Sequence, residues 1–421
     1  MKIAIIDAAY KNKGEFFRGT AASWLEWECQ NLGAKLVPVD QADSILVTAS
    51  DPREHIEIAR ILRRHKIKPR GERAQHVFVG GGIGSSPAIL DPIVDAVCVG
   101  EGRNFIRELL KNGPRAAMAL PNAWVPGESK SVTPDAEFPW DSPPVVTDSG
   151  SANIYLSRGC QKKCLFCQTG WASPYVENPL QITNTEQLLR ERKIPIVYVS
   201  NDVAAVEKHT PLDSRAFSAT YDGLMERRYG GKMVPDATRL VRIGVEAGSE
   251  RMRKLIGKPI PADGLARATI ELMQSGVDVR WFMMAGIPWE NEADWQELRD
   301  VVYAVKRGTR RNLLEVSFTA FLPAPAAPLC IAPLEDSYWE RFKAFSDWFF
   351  DTKAFSRRIR ILKPCQPASR LEHAKAAMAC TENELRRGFE QHEPKNWRIE
   401  YPWKRHMRKA YAIFKKRATG T

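Results

Sequence analysis

Two parallel α/β domains in series, the first doubly wound and the second a partial or full barrel, followed by a helical and basic C-terminal region, are the fold that the sequence predicts. Three observations carry this. Short apolar runs alternate with helical patterns over residues 1–120, the alternation returns over 151–336, and a proline-rich stretch without a clear period separates the two at 121–150. Short strands divided by helices imply βαβ units and a parallel sheet. With 421 residues, 44% of them hydrophobic, the chain is long enough for two or three domains with a sizeable core.

In the first domain the strand KIAIID is followed by a helix around Ala21 to Leu32, then by AKLVPVD, SILVTAS, a basic helix from Arg53 to His65, HVFVGGG, DAVCVGEG and a helix from Asn104 to Lys111. The domain ends near Leu120. Gly80, Gly81, Gly82 and Gly84 lack a following GKS or GKT and form no clean GxGxxG, so they read as a tight strand-to-helix turn and not as a phosphate loop. The stretch 121–150 holds six prolines and two tryptophans and reads as an extended linker. After it come NIYLSRG, PIVYVSND, LVRIGVEAG, VRWFMMAGIP and LEVSFTAFLPAP with helical patterns between them, a second parallel domain whose functional residues belong at the C-terminal ends of its strands. From about Ser337 the pattern is helical and basic, giving a C-terminal region over 337–421.

No stretch approaches the ~20 uninterrupted apolar residues of a membrane span, and the start MKIAIIDAAY turns polar before a signal peptide could form. The expected location is the cytoplasm. The chain carries 62 Lys and Arg against 50 Asp and Glu, a net charge of +12. From Lys395 to Arg417 nine basic residues face the single acid Glu400, interleaved with Trp397, Tyr401, Trp403, Tyr411 and Phe414. Such a tail either meets phosphates with its charges and bases with its rings, or is an amphipathic helix docked on the main body; the sequence weighs these equally.

Eight cysteines are too few for a disulfide scaffold, and three of them cluster in RGCQKKCLFC at 158–167. Cys160, Cys164 and Cys167 follow the strand NIYLS where the chain leaves the sheet. Three thiolates at this spacing can each reach one iron of a four-iron cluster, leaving the fourth iron open for an exchangeable ligand. Zinc is the weaker reading, since its sites usually pair two knuckles and no second CxxC exists here. Three unrelated buried thiols are weaker still beside Gly159, Lys162 and Lys163. Those lysines either soften the charge of a cluster or are simply solvated.

CxxxCxxC after the first strand of an α/β barrel resembles the signature of the radical S-adenosylmethionine (SAM) superfamily, including Phe166 before the last cysteine. The resemblance implies a 4Fe-4S cluster whose open iron is chelated by the amino and carboxylate groups of SAM, and cleavage of SAM to methionine and a 5'-deoxyadenosyl radical. It extends downstream. PIVYVSND resembles the second strand of the family, with Ser200, Asn201 and Asp202 where the SAM amino group is commonly bound by GGE. RIGVEAGSERMRKLIGKP resembles the fourth strand and its helix, with Glu246 and Ser249 facing the SAM ribose and methionine portions. WFMMAGIPWENEADW resembles the fifth, with Gly286 and Pro288 shaping a backbone edge for adenine, and FLPAPAAPL the end of the sixth. Each alone is an ordinary buried strand leading to a turn; four in order after the cysteines carry the assignment.

HVFVGGGIGSSPAILDPIVDAVCVGEG resembles the cobalamin-binding-like domain ahead of many radical SAM barrels. None of the seven histidines lies in the DxHxxG pattern that ligates cobalt, which argues against cobalamin and makes the domain a degenerate one. Methylthiotransferases carry three further cluster cysteines in this region, where the chain has only Cys29 and Cys98; Cys330, Cys365 and Cys380 are widely spaced and read as buried thiols. In overall design and basic character the chain also resembles viral radical SAM isomerases that rearrange an aminoacyl-modified thymine in phage DNA, moving glycine from nitrogen to α-carbon attachment. That resemblance implies DNA as substrate, the host cytoplasm, and an electron donor such as flavodoxin or ferredoxin. The alternatives are a radical SAM methyltransferase or methylthiotransferase acting on RNA or protein, and a non-catalytic iron-sulfur protein that binds nucleic acid. The proton donor is not identified by sequence; Tyr198, Asp202, Trp281 and Glu290 lie near the strand ends.

Overall fold

The computed structural model describes residues 1–8, 20–50, 54–128, 131–144, 146, 150–172, 174–180, 182–202, 206, 215–309, 312–351, 359–389 and 404–420. The first domain is built on β1 (Lys2–Asp7), β2 (Lys35–Leu36), β3 (Ser44–Thr48), β4 (His76–Gly80), β5 (Ala96–Cys98) and β6 (Ala123–Trp124), in the order β2-β1-β3-β4-β5-β6. The first five are parallel and β6 runs antiparallel to β5. All five residues of SILVT in β3 are buried, as a central strand covered on both faces requires. The helices α1 (Thr20–Asn31), α2 (His55–Arg64) and α3 (Arg103–Asn112) supply the cover; Ile58, Ile61 and Leu62 of α2 fall on one buried stripe. The direction of winding reverses between β1 and β3, which makes the carboxyl ends of the strands the side where a doubly wound sheet receives ligands. The sheet also runs past residue 120, because β6 and Val132 of the proline-rich stretch pack into this domain.

A short helix, α4 (Pro114–Met118), closes the domain before the second one begins at β7 (Ala152–Tyr155). Parallel to β7 lies β10 (Ile196–Val199). Beside them stand five parallel strands in sequence order, β11 (Ala216–Ala219), β12 (Leu240–Glu246), β13 (Asp278–Ala285), β14 (Leu314–Ala320) and β15 (Ile359–Leu362). A small antiparallel pair, β8 (Ser157–Arg158) with β9 (Val176–Glu177), brackets the cysteine loop, and α5 (Thr169–Ala172) lies within the bracket. The connecting helices are α6 (Thr183–Glu191), α7 (Tyr221–Glu226), α8 (Glu250–Leu255), α9 (Ala262–Gln274) and α10 (Glu292–Gly308), followed by α11 (Tyr338–Asp351). The start of α10 is fixed by a capping box between Asn291 and Asp294.

The C-terminal region departs from the all-helical expectation. Its helices α12 (Pro367–Met378), α13 (Glu382–Arg387) and α14 (Lys404–Thr419) are present, but IRIL adds β15 to the edge of the barrel sheet. One core runs through both domains: Ile45 and Val47 of β3, Trp171, Met252, Ile256, Leu329, and Met407, Tyr411 and Phe414 of α14 belong to a single buried cluster. Residues 395–403 of the basic tail lie outside the described residues. Among the described residues no helix is long and apolar enough to cross a membrane.

Candidate functional site

The cysteine loop leaves β8 through Gly159 (φ 69°), where a Cβ would overlap the Pro174 carbonyl, and returns through Gly170, where one would overlap the Lys162 carbonyl. Backbone bonds pin it from both sides. Leu165 N donates to Ile256 O (2.9 Å), and Leu329 N donates to Leu165 O (2.9 Å). Within the loop Cys167 N reaches Cys164 O (3.2 Å), and Trp171 Nε1 donates to the same carbonyl (2.9 Å). Cys160 and Cys167 are half-buried and Cys164 is buried; all three are free thiols. Phe166 is half-buried against the shared core. Burial, above all, pushes the Cys164 thiol up to about 12, with Lys258 opposing and Cys167, Glu246 and Cys160 adding to the rise. Cys160 is raised as well, chiefly by burial, and a cationic metal would oppose that cost of ionisation.

Among the described residues no three His, Cys, Asp or Glu side chains converge on one point. A cluster asks for something else, one thiolate for each of three irons, with no common point of convergence. The three thiols on one pinned loop, Cys160 and Cys167 half-buried and Cys164 buried, fit that demand. Lys162, partly exposed, pairs with Asp222 of α7 (2.8 Å), while Lys163 donates to the Gly170 carbonyl and lies over the Trp171 ring.

The residues after β10 are drawn to the loop. Asn201 Nδ2 donates to Gly159 O (2.7 Å), Ser200 Oγ meets Ser157 Oγ (2.7 Å), and Asp202 receives Thr220 Oγ1 (2.5 Å) and Thr220 N (3.2 Å). At the end of β12, Glu246 accepts Lys258 Nζ (2.8 Å), which also donates to Gly244 O (2.7 Å). Ser249 faces the protein interior: it caps α8 by accepting Met252 N (3.1 Å) and donates to Asp294 of α10. After β13, Gly286 (φ 83°) donates its N–H to Glu290 (3.0 Å) and accepts Arg370 Nη2 of α12 (2.9 Å); Pro288 is buried beside it. Arg370, fully buried, also donates to the Phe321 and Glu335 carbonyls, so α12 ties the ends of β13 and β14 together. Of the named proton-donor candidates, Tyr198 bonds Glu186 of α6 (2.6 Å) and Trp281 bonds Thr269 of α9 (3.2 Å), both away from the loop. Cys330 is buried, as expected, whereas Cys365 and Cys380 are half-exposed.

A cavity of about 130 Å³ opens at the carboxyl ends of β3, β4 and β5, with Leu25, Leu46, Phe78 and Phe105 among its walls and Thr48 and Glu101 at its polar edge. It has room for a single small ring system. Gly81 borders it, and a Cβ on Gly81 or on the following Gly82 would overlap the carbonyls of Ala49 or Ser50. The chain turns tightly there, into a 3-10 turn at Gly82–Ser85. Glu101 also receives Arg158 Nε (3.1 Å), which links the cavity edge to the strand that begins the cysteine loop.

No protein-family model matches the chain. An uncharacterised protein of Methanocaldococcus jannaschii is 35% identical over 88 residues, 21% of this chain, so the match spans only 19% of that protein's length. Among solved structures, the radical SAM methyltransferase TsrM of Kitasatospora setae, with cobalamin and a 4Fe-4S cluster bound, superposes at a TM-score of 0.53 with 13% identity, covering 78% of this chain and 74% of TsrM. OxsB, a cobalamin-dependent SAM radical enzyme with aqua-cobalamin and SAM bound, gives 0.52 with 15% identity over 84% of this chain and 56% of OxsB. The chain has the fold of the cobalamin-dependent radical SAM enzymes. Both neighbours bind cobalamin on this fold, so the argument against cobalamin from a missing histidine pattern does not stand: it removes one ligand to cobalt and leaves the domain. Sequence reasoning did not single out Lys258, although it stands near the end of RIGVEAGSERMRKLIGKP, nor Arg370, whose partners are backbone carbonyls far away in sequence.

Proposed function

We propose that the chain is a radical SAM enzyme with one 4Fe-4S cluster held by Cys160, Cys164 and Cys167. The observation that carries this is the pinned loop that presents three free thiols at the mouth of a parallel-stranded barrel. When bound there, a four-iron cluster with an open iron supplies the electron that cleaves SAM, the electron itself coming from an external donor such as flavodoxin or ferredoxin. The chain's own residues shape the surroundings. Asn201 and Ser200 hold the start of the loop, Gly286 offers a backbone edge fixed by Glu290 and Arg370, and Trp171 with Phe166 screens the loop from water on the core side. Incubating the reconstituted protein with SAM and a strong reductant releases 5'-deoxyadenosine on this reading; Cys164→Ala takes up no cluster and releases none. An iron-loaded wild type that leaves SAM intact would return the chain to a structural iron-sulfur protein.

For the reaction itself, cobalamin-assisted methyl transfer is favoured by the apolar cavity at the carboxyl ends of β3, β4 and β5, where Leu25, Leu46, Phe78 and Phe105 would hold part of a corrin cofactor and the cofactor would supply the methyl carrier. Rearrangement of a glycinyl-modified thymine in phage DNA rests on the +12 charge and on the exposed Lys409, Lys416 and Arg417 of α14. Metal analysis separates the two: cobalt bound with about four irons per chain supports methyl transfer, and iron without cobalt, together with salt-dependent DNA binding, supports the rearrangement.

A further inference from the structure

We propose that Lys258 is a positioning residue for the cluster: a fixed positive charge, tethered by Glu246 and the Gly244 carbonyl, that stabilises the reduced state of iron held by the three cysteines. The inference rests on the cluster reading above and adds to it a determinant of potential that no motif specifies.

The geometry is built for this pair. Lys258 Nζ donates to Glu246 Oε1 (2.8 Å) and Gly244 O (2.7 Å), and both side chains are largely buried. Three departures from regular structure admit it. The β12–β13 register shifts between Gly244 and Glu246, Glu246 stands in the left-handed region at φ 69°, and a Cβ at position 244 would overlap both Lys258 Nζ and Glu246 Oε1. A non-glycine residue in that region costs roughly 1–2 kcal/mol, which is sustained only where the surroundings demand it.

The pair also lies against the cysteine loop. A Cβ on Gly257 would sit 3.4 Å from the Cys164 Cα, Cys164 Sγ is 3.8 Å from Gly257 O, and Ile256 O holds Leu165 N. Lys258 interacts electrostatically with Cys160, Cys164 and Cys167. Burial works against its charge, and the ion pair with Glu246 together with the Gly244 carbonyl holds the amine in place. A cluster with three thiolates is anionic and gains a further negative charge on reduction, and potentials of such clusters follow net charge and neighbouring dipoles. Lys162 and Lys163, the two lysines within the motif, have their amines engaged by Asp222 and the Gly170 carbonyl, whereas the Lys258 amine is tethered beside the segment that packs on Cys164.

The test is an EPR-monitored redox titration of anaerobically reconstituted wild type, Lys258→Met, Lys258→Arg and Glu246→Gln, with iron counted in each. Lys258→Met is expected to lower the reduced-to-oxidised ratio at fixed potential at least tenfold, 59 mV toward more negative values for one electron. Lys258→Arg keeps the wild-type midpoint. Glu246→Gln removes the opposing charge and moves the midpoint the other way, and it decides the matter if Lys258→Met cannot hold iron. Iron-loaded variants with an unchanged midpoint overturn the role of Lys258 alone. A wild type that takes up no iron overturns the cluster reading and this inference together.

Discussion

Glu290 shows what one buried side chain does to the whole pH profile. It sits at the turn after β13, accepts the Gly286 amide, and burial pushes its carboxyl up to about 7 against the pull of that amide and of Arg341. A carboxyl raised on folding favours the fold while protonated: the contribution is complete below its unfolded value of about 4.3 and is lost as pH climbs through 7. Glu290→Gln is expected to flatten the fall in stability between about pH 5 and 8, by on the order of 3 kcal/mol, in denaturant titrations run at each pH. Equal losses in both proteins would show that Glu290 titrates as an ordinary surface acid. At this scale the sequence was informative where chemistry is local. Cys160, Cys164 and Cys167 announce themselves by spacing; after β10, Asn201 reaches the loop at Gly159, Ser200 meets Ser157 of β8, and Asp202 bonds Thr220. Ser249 was expected to face SAM, and its hydroxyl caps α8 and bonds Asp294, while Lys258 was not singled out because its partners are set by a bulge that no residue pattern encodes.

Among the elements, α14 resolves one of the two weighed readings of the tail for residues 404–419. Its Met407, Tyr411 and Phe414 recur on one face, are buried, and meet Trp289 (ring centroids 5.4 Å for Phe414), the turn Pro328–Ile331 and α8. Phe414→Ala is expected to cost about 3–4 kcal/mol, while Ile413→Ala on the exposed face changes stability by less than about 0.5, read from urea midpoints. Similar losses at both positions would mean that the helix is not docked by this face. Two strands of the five-stranded barrel sheet escaped the sequence reading for the same reason. AFSA of β11 buries only Phe217 and Ala219, and IRIL of β15 alternates with an exposed arginine at the sheet edge, so neither forms the apolar run by which interior parallel strands are recognised.

Across the whole molecule, the two domains share a buried cluster that extends from Val47 of β3 to Phe414 of α14. The first domain's sheet therefore has the barrel and C-terminal helices as one of its faces. Calorimetry is expected to record one endotherm for the full chain, and two resolved endotherms would show that the shared core does not couple the domains. Both α/β units were legible in outline because alternation of strand and helix survives averaging over many residues; their union was not, since contacts such as Leu329 to Leu165 join segments with nothing in common locally. That contact has a consequence for biogenesis. The cysteine loop takes its shape from Ile256 and Leu329, both far downstream, so its three thiols are brought into place only when most of the barrel has been synthesised and has closed. On the proposed function, cluster insertion would follow folding.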